Sequence, residues 1–112
     1  MQMLQTSSSP MRVKLCTLDQ APQPGKGAAV RSEDGRHWAL FNVDGTFHLC
    51  EDRCPHMDCP IHDGIVHRGV VTCMWHQWQF DLATGECLLS EHIRLTKHPT
   101  SIDNGIIYAN LP

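Results

Sequence analysis

The sequence predicts an all-β domain, a small antiparallel β-sandwich or barrel, with a loop-rich lobe inserted over about residues 50–82. Short apolar segments that alternate with polar residues recur along the chain, as they do in half-buried strands. Asp-Gly and Asn-Gly pairs separate several of these segments, and such pairs favour tight hairpin turns. No segment keeps a helical period over ten residues, so no regular helix is expected. With 112 residues, the chain suits a single domain.

The first half of the chain predicts one strand, a loop and then a meander. Residues 11–15 alternate apolar and basic side chains, which is typical of a half-buried strand. Residues 17–27 contain two prolines and two glycines and are expected to form a loop. Three strands joined by Asp-Gly turns should follow at residues 28–31, 37–43 and 46–50.

The second half of the chain begins with a segment that lacks a regular hydrophobic pattern. Residues 51–69 have little periodicity and read as loop, and a turn is predicted at residues 81–85, where Gly85 takes a positive φ. A hairpin with Asn104-Gly105 at its turn is expected near the end of the chain. Short strands are predicted at residues 70–72, 77–80 and 86–89.

The first residues and the net charge of the whole chain limit the classes of function that the protein can have. Residues 1–10 lack the basic and apolar regions of a signal peptide and are expected to be a disordered tail before a domain over residues 11–112. The net charge of −3 argues against nucleic-acid binding. No run is long and apolar enough to span a membrane, so a cytoplasmic protein is expected.

Two short motifs offer metal ligands. Cys54-Pro55-His56 and Cys73-Met74-Trp75-His76 are separated by sixteen residues, and each supplies one thiolate and one imidazole. Such a set suits an iron–sulfur cluster in which two Cys hold one iron and two His hold the other. A structural zinc site with two Cys and two His is the alternative.

The spacing and flanks of these motifs resemble the Rieske signature, and the resemblance extends from about Val13 to Tyr108. The matching flanks are residues 52–56, 64–66, 69–73 and 78–86. The resemblance implies a Rieske [2Fe-2S] cluster, an inserted cluster lobe and imidazoles at an exposed tip. Its ligands would be Cys54, His56, Cys73 and His76.

Departures from the high-potential members of the family concern the residues around the cluster. Rieske proteins of cytochrome bc complexes pair a Cys three positions after the first His with a Cys in the second motif. Here those positions are Cys59 and Trp75, so that disulfide cannot form. Their Ser and Tyr hydroxyls are replaced by Trp78 and Phe80. A potential in the lower part of the class range of about −150 to +300 mV is therefore expected.

Several further residues lie near the motifs, and some of them have two candidate roles. Asp58 replaces a glycine of ferredoxin-type members, and its carboxylate would disfavour reduction. Cys59 is a spare thiol or an alternative ligand, and Trp75 and Trp78 are expected to pack the cluster loop or shield it from water. The cysteines outside the ligand set are expected to be small, buried and reduced, with a disulfide among them as the alternative: Cys16, Cys50, Cys59 and Cys87. The two His between the motifs, His62 and His67, are expected to be exposed loop residues.

The resemblance implies an electron-transfer protein rather than an enzyme. A Rieske centre alone moves single electrons, and the large mononuclear iron domain of Rieske oxygenases has no room in this chain. The first hypothesis is a ferredoxin that carries electrons from a flavin-dependent reductase to a terminal oxygenase. The alternative is the small subunit of an assimilatory nitrite reductase-like enzyme, with a large subunit as partner.

Overall fold

The computed structural model describes residues 11–55, 59–75 and 77–111, and these form an antiparallel all-β fold. The only helical segment within those ranges is a short 3-10 turn, Leu18–Gln20. The strands are β1 (Met11–Thr17), β2 (Lys26–Arg31), β3 (His37–Val43), β4 (Thr46–Glu51), β5 (Ile65–His67), β6 (Val70–Thr72), β7 (Gln79–Asp81), β8 (Lys97–His98), β9 (Thr100–Asp103) and β10 (Ile106–Leu111).

The strands make three sheets. The central sheet has the order β2-β3-β4-β8, the outer sheet has the order β1-β10-β9, and the small sheet has the order β5-β6-β7. In the outer sheet the first strand pairs with the last, from Met11 opposite Leu111 to Thr17 opposite Ile106, with a bulge between Lys14 and Cys16. The small sheet is built from consecutive strands between the two predicted ligand motifs and just beyond them.

Strand β3 explains how the layers stack, because it is buried on both faces. Its apolar run alternates between two hydrophobic clusters, with Trp38 and Leu40 in one and Ala39 and Phe41 in the other. A strand that is covered on both sides carries a continuous apolar run instead of an alternating one. The central sheet is therefore the middle layer of the molecule.

Each face of the central sheet has its own core. The core shared with the outer sheet, here called the base core, is formed by Val13, Leu15, Cys16, Trp38, Leu40, Leu49, Ile107, Ala109 and Leu111. The core shared with the small sheet and the motif loops, here called the thiol core, is formed by Ala39, Phe41, Cys50, Cys54, Ile61, Val71, Cys73, Phe80, Leu82, Cys87 and Leu95.

The turn predictions are confirmed. Asp44 and Gly45 both have positive φ, of 52° and 91°, and so do Asn104 and Gly105, at 54° and 79°. Two successive positive values define the type I′ turn that matches the twist of a hairpin. Gly85 has a φ of 85°, and its backbone passes so close to Leu95 that a Cβ would lie 3.0 Å from the Leu95 carbonyl oxygen.

Two strand predictions were wrong. Residues 65–67 form β5, although residues 51–69 were expected to be loop, because a strand of three residues with only Val66 against the thiol core shows no periodicity. Residues 86–89 do not form a regular strand. Only isolated bridges from Cys87 to Phe80 and from Glu86 to Arg94 are present there, and Leu88 and Leu89 are 54% and 65% exposed.

Candidate metal centre

Three cysteine thiols converge at the edge of the thiol core. The Sγ atoms of Cys54, Cys59 and Cys73 all lie within 4.8 Å of one another. Cys54 and Cys73 are fully buried, and Cys59 is half-buried. The predicted ligand thiols of the two motifs are therefore brought together, and a third thiol joins them.

The first motif loop is closed on Cys54 by the backbone. Cys54 lies three residues beyond the end of β4, and its N–H donates to the Cys59 carbonyl oxygen at 2.8 Å. That bond sets Cys54 and Cys59 side by side at the two ends of a short loop. The loop residues between them, apart from Pro55, are His56, Met57 and Asp58, which lie outside the described residues.

The second motif loop is closed on Cys73 in the same manner. Cys73 follows β6 directly, its N–H donates to the Trp78 carbonyl oxygen at 2.8 Å, and its carbonyl accepts from Gln77 N–H at 2.8 Å. Gln77 closes this turn with a φ of 57°, in the left-handed region that favours glycine. His76, the fourth predicted ligand, lies outside the described residues.

A carboxylate holds the far end of the first loop. Asp52 Oδ1 accepts from the N–H groups of Ile61 and His62, both at 2.9 Å, and Asp52 Oδ2 accepts from His62 Nδ1 at 2.7 Å. His62 lies in a loop, as expected, but it is only partly exposed, because its ring is bound to the mostly buried Asp52 carboxylate. His67 is exposed, as expected, although it lies on β5.

The thiol geometry fits a thiolate-bound metal. Two thiolates on one tetrahedral metal, with bonds of about 2.3 Å, lie about 3.8 Å apart. The Sγ atoms of Cys54 and Cys73, the two predicted thiolate ligands, lie within 4.8 Å of one another, so a small adjustment would let both bind one metal. The imidazoles of His56 and His76 fall outside the described residues, so their role stays a prediction.

Two of the other thiols are held in the protonated form by their surroundings. Burial raises the pKa of the Cys59 thiol to about 11, and the neighbouring sulfur of Cys73 adds to the rise. Burial also raises the pKa of Cys50 to about 12. Cys16, Cys50 and Cys87 are buried, as expected, and each carries a free thiol.

The aromatic residues around the second motif divide into two kinds. Phe80 is fully buried in the thiol core, and Trp78 packs against that core. Trp75 is 64% exposed, so its ring lies mostly in solvent, and its expected role in shielding the loop from water stays a prediction. Phe80 offers no hydrogen-bond donor, in agreement with the sequence comparison at that position.

Exposed apolar side chains surround the second motif. Ile65, Met74 and Trp75, here called the apolar rim, are 61%, 54% and 64% exposed. A cavity of about 410 Å³ lies beside them and is lined by Ile65, Thr72, Cys73, Met74, Gln77 and Gln79. None of those six lining side chains carries a formal charge. The buried ligand-type thiol of Cys73 thus adjoins an uncharged, partly apolar surface.

None of the described segments forms a helix with the length and apolar character of a membrane span.

Comparisons with known proteins agree on one family. The family model of the Rieske [2Fe-2S] domain matches residues 11–99 of this chain. The 3-phenylpropionate/cinnamic acid dioxygenase ferredoxin subunit of Escherichia coli K12 is 33% identical over 103 residues, which cover 90% of this chain and 94% of that protein.

Two solved structures resemble the fold closely. The ferredoxin of Sphingomonas yanoikuyae B1 superposes with a TM-score of 0.79 at 26% identity, covering 91% of this chain and 100% of that one. A putative NADH-dependent nitrite reductase small subunit from Mycobacterium tuberculosis gives a TM-score of 0.80 at 25% identity, covering 92% and 96%. Both sequence and fold therefore point to the same family.

Proposed function

The chain belongs to the Rieske [2Fe-2S] domain family, and from this premise we propose that it carries single electrons from a flavin-dependent reductase to a terminal oxygenase. Its cofactor is a Rieske [2Fe-2S] cluster, and it acts as an electron-transfer protein. The observation that carries the proposal is the match to the dioxygenase ferredoxin subunit of E. coli, which spans nearly the full length of both chains. When bound, the cluster takes up and releases one electron at a time.

We assign the four ligands to the two motifs. In this assignment Cys54 and Cys73 hold one iron, and His56 and His76 hold the other. The buried and adjacent thiols of Cys54 and Cys73 support the first half of the assignment. Two imidazoles in place of two thiolates reduce the negative charge at the centre and raise its potential above that of plant-type ferredoxins.

The surroundings favour a potential in the lower part of the Rieske range. Donors to the cluster sulfurs raise the potential, and the buried Phe80 ring supplies none at a position where high-potential relatives have a hydroxyl. Asp58 adds a negative charge in the first loop of the sequence, which disfavours reduction. A cytoplasmic location belongs to the same proposal, since six free thiols suit a reducing compartment.

The apolar rim is the surface that we propose for partner contact. Ile65, Met74 and Trp75 are large and exposed, and Met74 and Trp75 directly follow Cys73 in the chain. Exposed apolar side chains that cluster in one place mark interaction sites more often than scattered ones do. A partner that covers this surface would approach the cluster over a short distance, which favours electron transfer.

The role of the apolar rim in partner contact can be tested by measuring how fast the reduced protein is reoxidised. The variants Trp75→Ser and Met74→Ser should leave the visible spectrum of the protein unchanged and slow its reoxidation by a purified oxygenase component. The matched control is Ile102→Ser, which removes a side chain that is 50% exposed on the outer sheet. Equal reoxidation rates for all three variants and the wild type would exclude the rim as the docking surface.

The alternative is a small subunit of an assimilatory nitrite reductase-like enzyme. The fold match to the putative M. tuberculosis nitrite reductase small subunit favours it. The two functions differ in the lifetime of the complex. Gel filtration with separately purified oxygenase and nitrite reductase large subunits from the same organism distinguishes them: a stable complex with the large subunit supports the alternative. Fast reoxidation by the oxygenase without co-elution supports the carrier.

A further inference from the structure

We propose that the thiol of Cys59 donates a hydrogen bond to Cys73 Sγ and thereby raises the reduction potential of the cluster. This inference rests on the proposed function, because it takes Cys73 as a cluster ligand. It gives Cys59 a role that is neither that of a spare thiol nor that of a third sulfur ligand.

The contact itself is the first support. The Cys59 and Cys73 sulfur atoms are 3.8 Å apart, a distance that suits a hydrogen bond between sulfur atoms. Cys73 is fully buried and Cys59 is half-buried, so little water competes for the donor. Hydrogen bonds in such surroundings are electrostatically stronger than they are in water.

The position of Cys59 is fixed by its neighbours. Its carbonyl oxygen accepts from Cys54 N–H at 2.8 Å, and two residues later Ile61 N–H is held by Asp52. Pro60, between them, restricts the backbone further. The side chain also packs against the thiol core. Because the Cys59 carbonyl and the backbone two residues later are both held by hydrogen bonds, the Cys59 sulfur is kept beside Cys73.

The chemistry gives the direction of the effect. A ligand thiolate has no proton to give, so in this pair Cys59 is the donor and Cys73 the acceptor. Reduction adds one negative charge to the centre and makes the ligand sulfur a better acceptor. The bond is therefore stronger in the reduced state and stabilises that state, which raises the potential.

Redox titration of three variants tests the inference. Cys59→Ala should load the cluster fully and shift the midpoint potential downward, because the donor is lost. Cys59→Ser keeps a hydroxyl donor and should recover part of that shift. The matched control is Cys87→Ala, which removes another thiol of the thiol core, 6% exposed, and should leave the potential at its wild-type value.

Infrared difference spectroscopy of the wild-type protein supplies a second readout that needs no variant to fold. The reduced-minus-oxidised spectrum should show an S–H stretching band that moves to lower frequency on reduction, since the bond strengthens. The absence of any change in the S–H region would overturn the inference, whatever the variants do.

The outcomes separate this inference from the proposed function. A Cys59→Ala protein with full iron and an unchanged potential would show that Cys59 is a spare thiol. Loss of iron and of the Rieske-type EPR signal in both Cys59 variants would show that Cys59 is a ligand. Either result overturns the inference and leaves the cluster in place in the wild type, whereas a wild-type protein without a cluster would overturn the proposed function as well.

Discussion

The two faces of the central sheet are covered in different ways. On one face the outer sheet brings its first and last strands, which pair at six positions, and an almost purely hydrocarbon core, in which Cys16 is the only thiol. On the other face three-residue strands and loops bring a core with four buried thiols: Cys50, Cys54, Cys73 and Cys87.

This difference shows where each half obtains its stability. The base core buries apolar side chains between its longer ladders, and apolar burial is the dominant favourable contribution to folding. The thiol core has short ladders, and its loops are closed by one backbone bond at Cys54, by two at Cys73 and by the Asp52 carboxylate. We therefore expect the base to fold without a cofactor and the thiol side to depend on local polar contacts and on the cluster.

The largest expected effect comes from removing a proposed ligand. Cys73→Ala should reduce bound iron and sulfide to background, because one iron loses a thiolate. The β-sheet signal in far-UV circular dichroism should remain, since Cys73 lies outside the base core. Cys16→Ala, the corresponding change in the base core, should keep its iron. Full iron in the Cys73→Ala protein would contradict the ligand assignment.

The next effect compares how much each core contributes to the stability of the cluster-free protein. Leu40 is fully buried in the base core, and Leu40→Ala should lower the free energy of unfolding of the cluster-free protein by about 2–5 kcal/mol. Leu82→Ala, the same change at an equally buried position of the thiol core, should cost less in urea denaturation. A larger loss for Leu82→Ala would show that the thiol side carries the stability of the apoprotein.

A smaller effect is expected at the carboxylate that holds the first loop. Asp52→Ala leaves the N–H groups of Ile61 and His62 without their acceptor, at a cost of about 1–3 kcal/mol. A looser loop should release iron to a chelator faster than the wild type does. The control is Asp63→Ala, an exposed acidic residue next in sequence to His62. Equal release rates for the two variants would remove Asp52 from its positioning role.

The smallest expected effect is a gain in the stability of the protein. Gln77 has a φ of 57°, so Gln77→Gly should relieve backbone strain and stabilise the protein by about 0.5–1 kcal/mol. Gln79→Gly, in strand β7, should instead destabilise it, since glycine weakens a strand. Thermal unfolding of the pair checks the sign. A loss of stability in the Gln77→Gly protein would mean that side-chain contacts outweigh the strain.

The base of the fold could be predicted from the sequence because its signals are local. Apolar runs such as that of β3 and type I′ turn pairs such as Asp44-Gly45 report their own conformation. The small sheet could not be predicted fully, since β5 buries only one side chain against the core and so shows no pattern. The expected strand at residues 86–89 fails because its two leucines find no core to cover.

The same distinction applies to the site. The convergence of Cys54 and Cys73 was predictable because their motifs have a characteristic spacing. The bond of Asp52 to His62 was not, since it joins residues ten positions apart across a loop without regular structure. The closeness of Cys59 to Cys73 was hidden for the same reason, as it depends on how two loops meet.

The most direct test of the central claim is EPR spectroscopy of the purified protein before and after dithionite reduction, with iron and sulfide counted. The family assignment and the proposed ligands predict a red-brown protein with two irons and two sulfides per chain, and an anisotropic Rieske-type signal that appears only on reduction. A colourless protein that holds zinc, or no metal after anaerobic reconstitution, would contradict the ligand assignment and the electron-carrier function together.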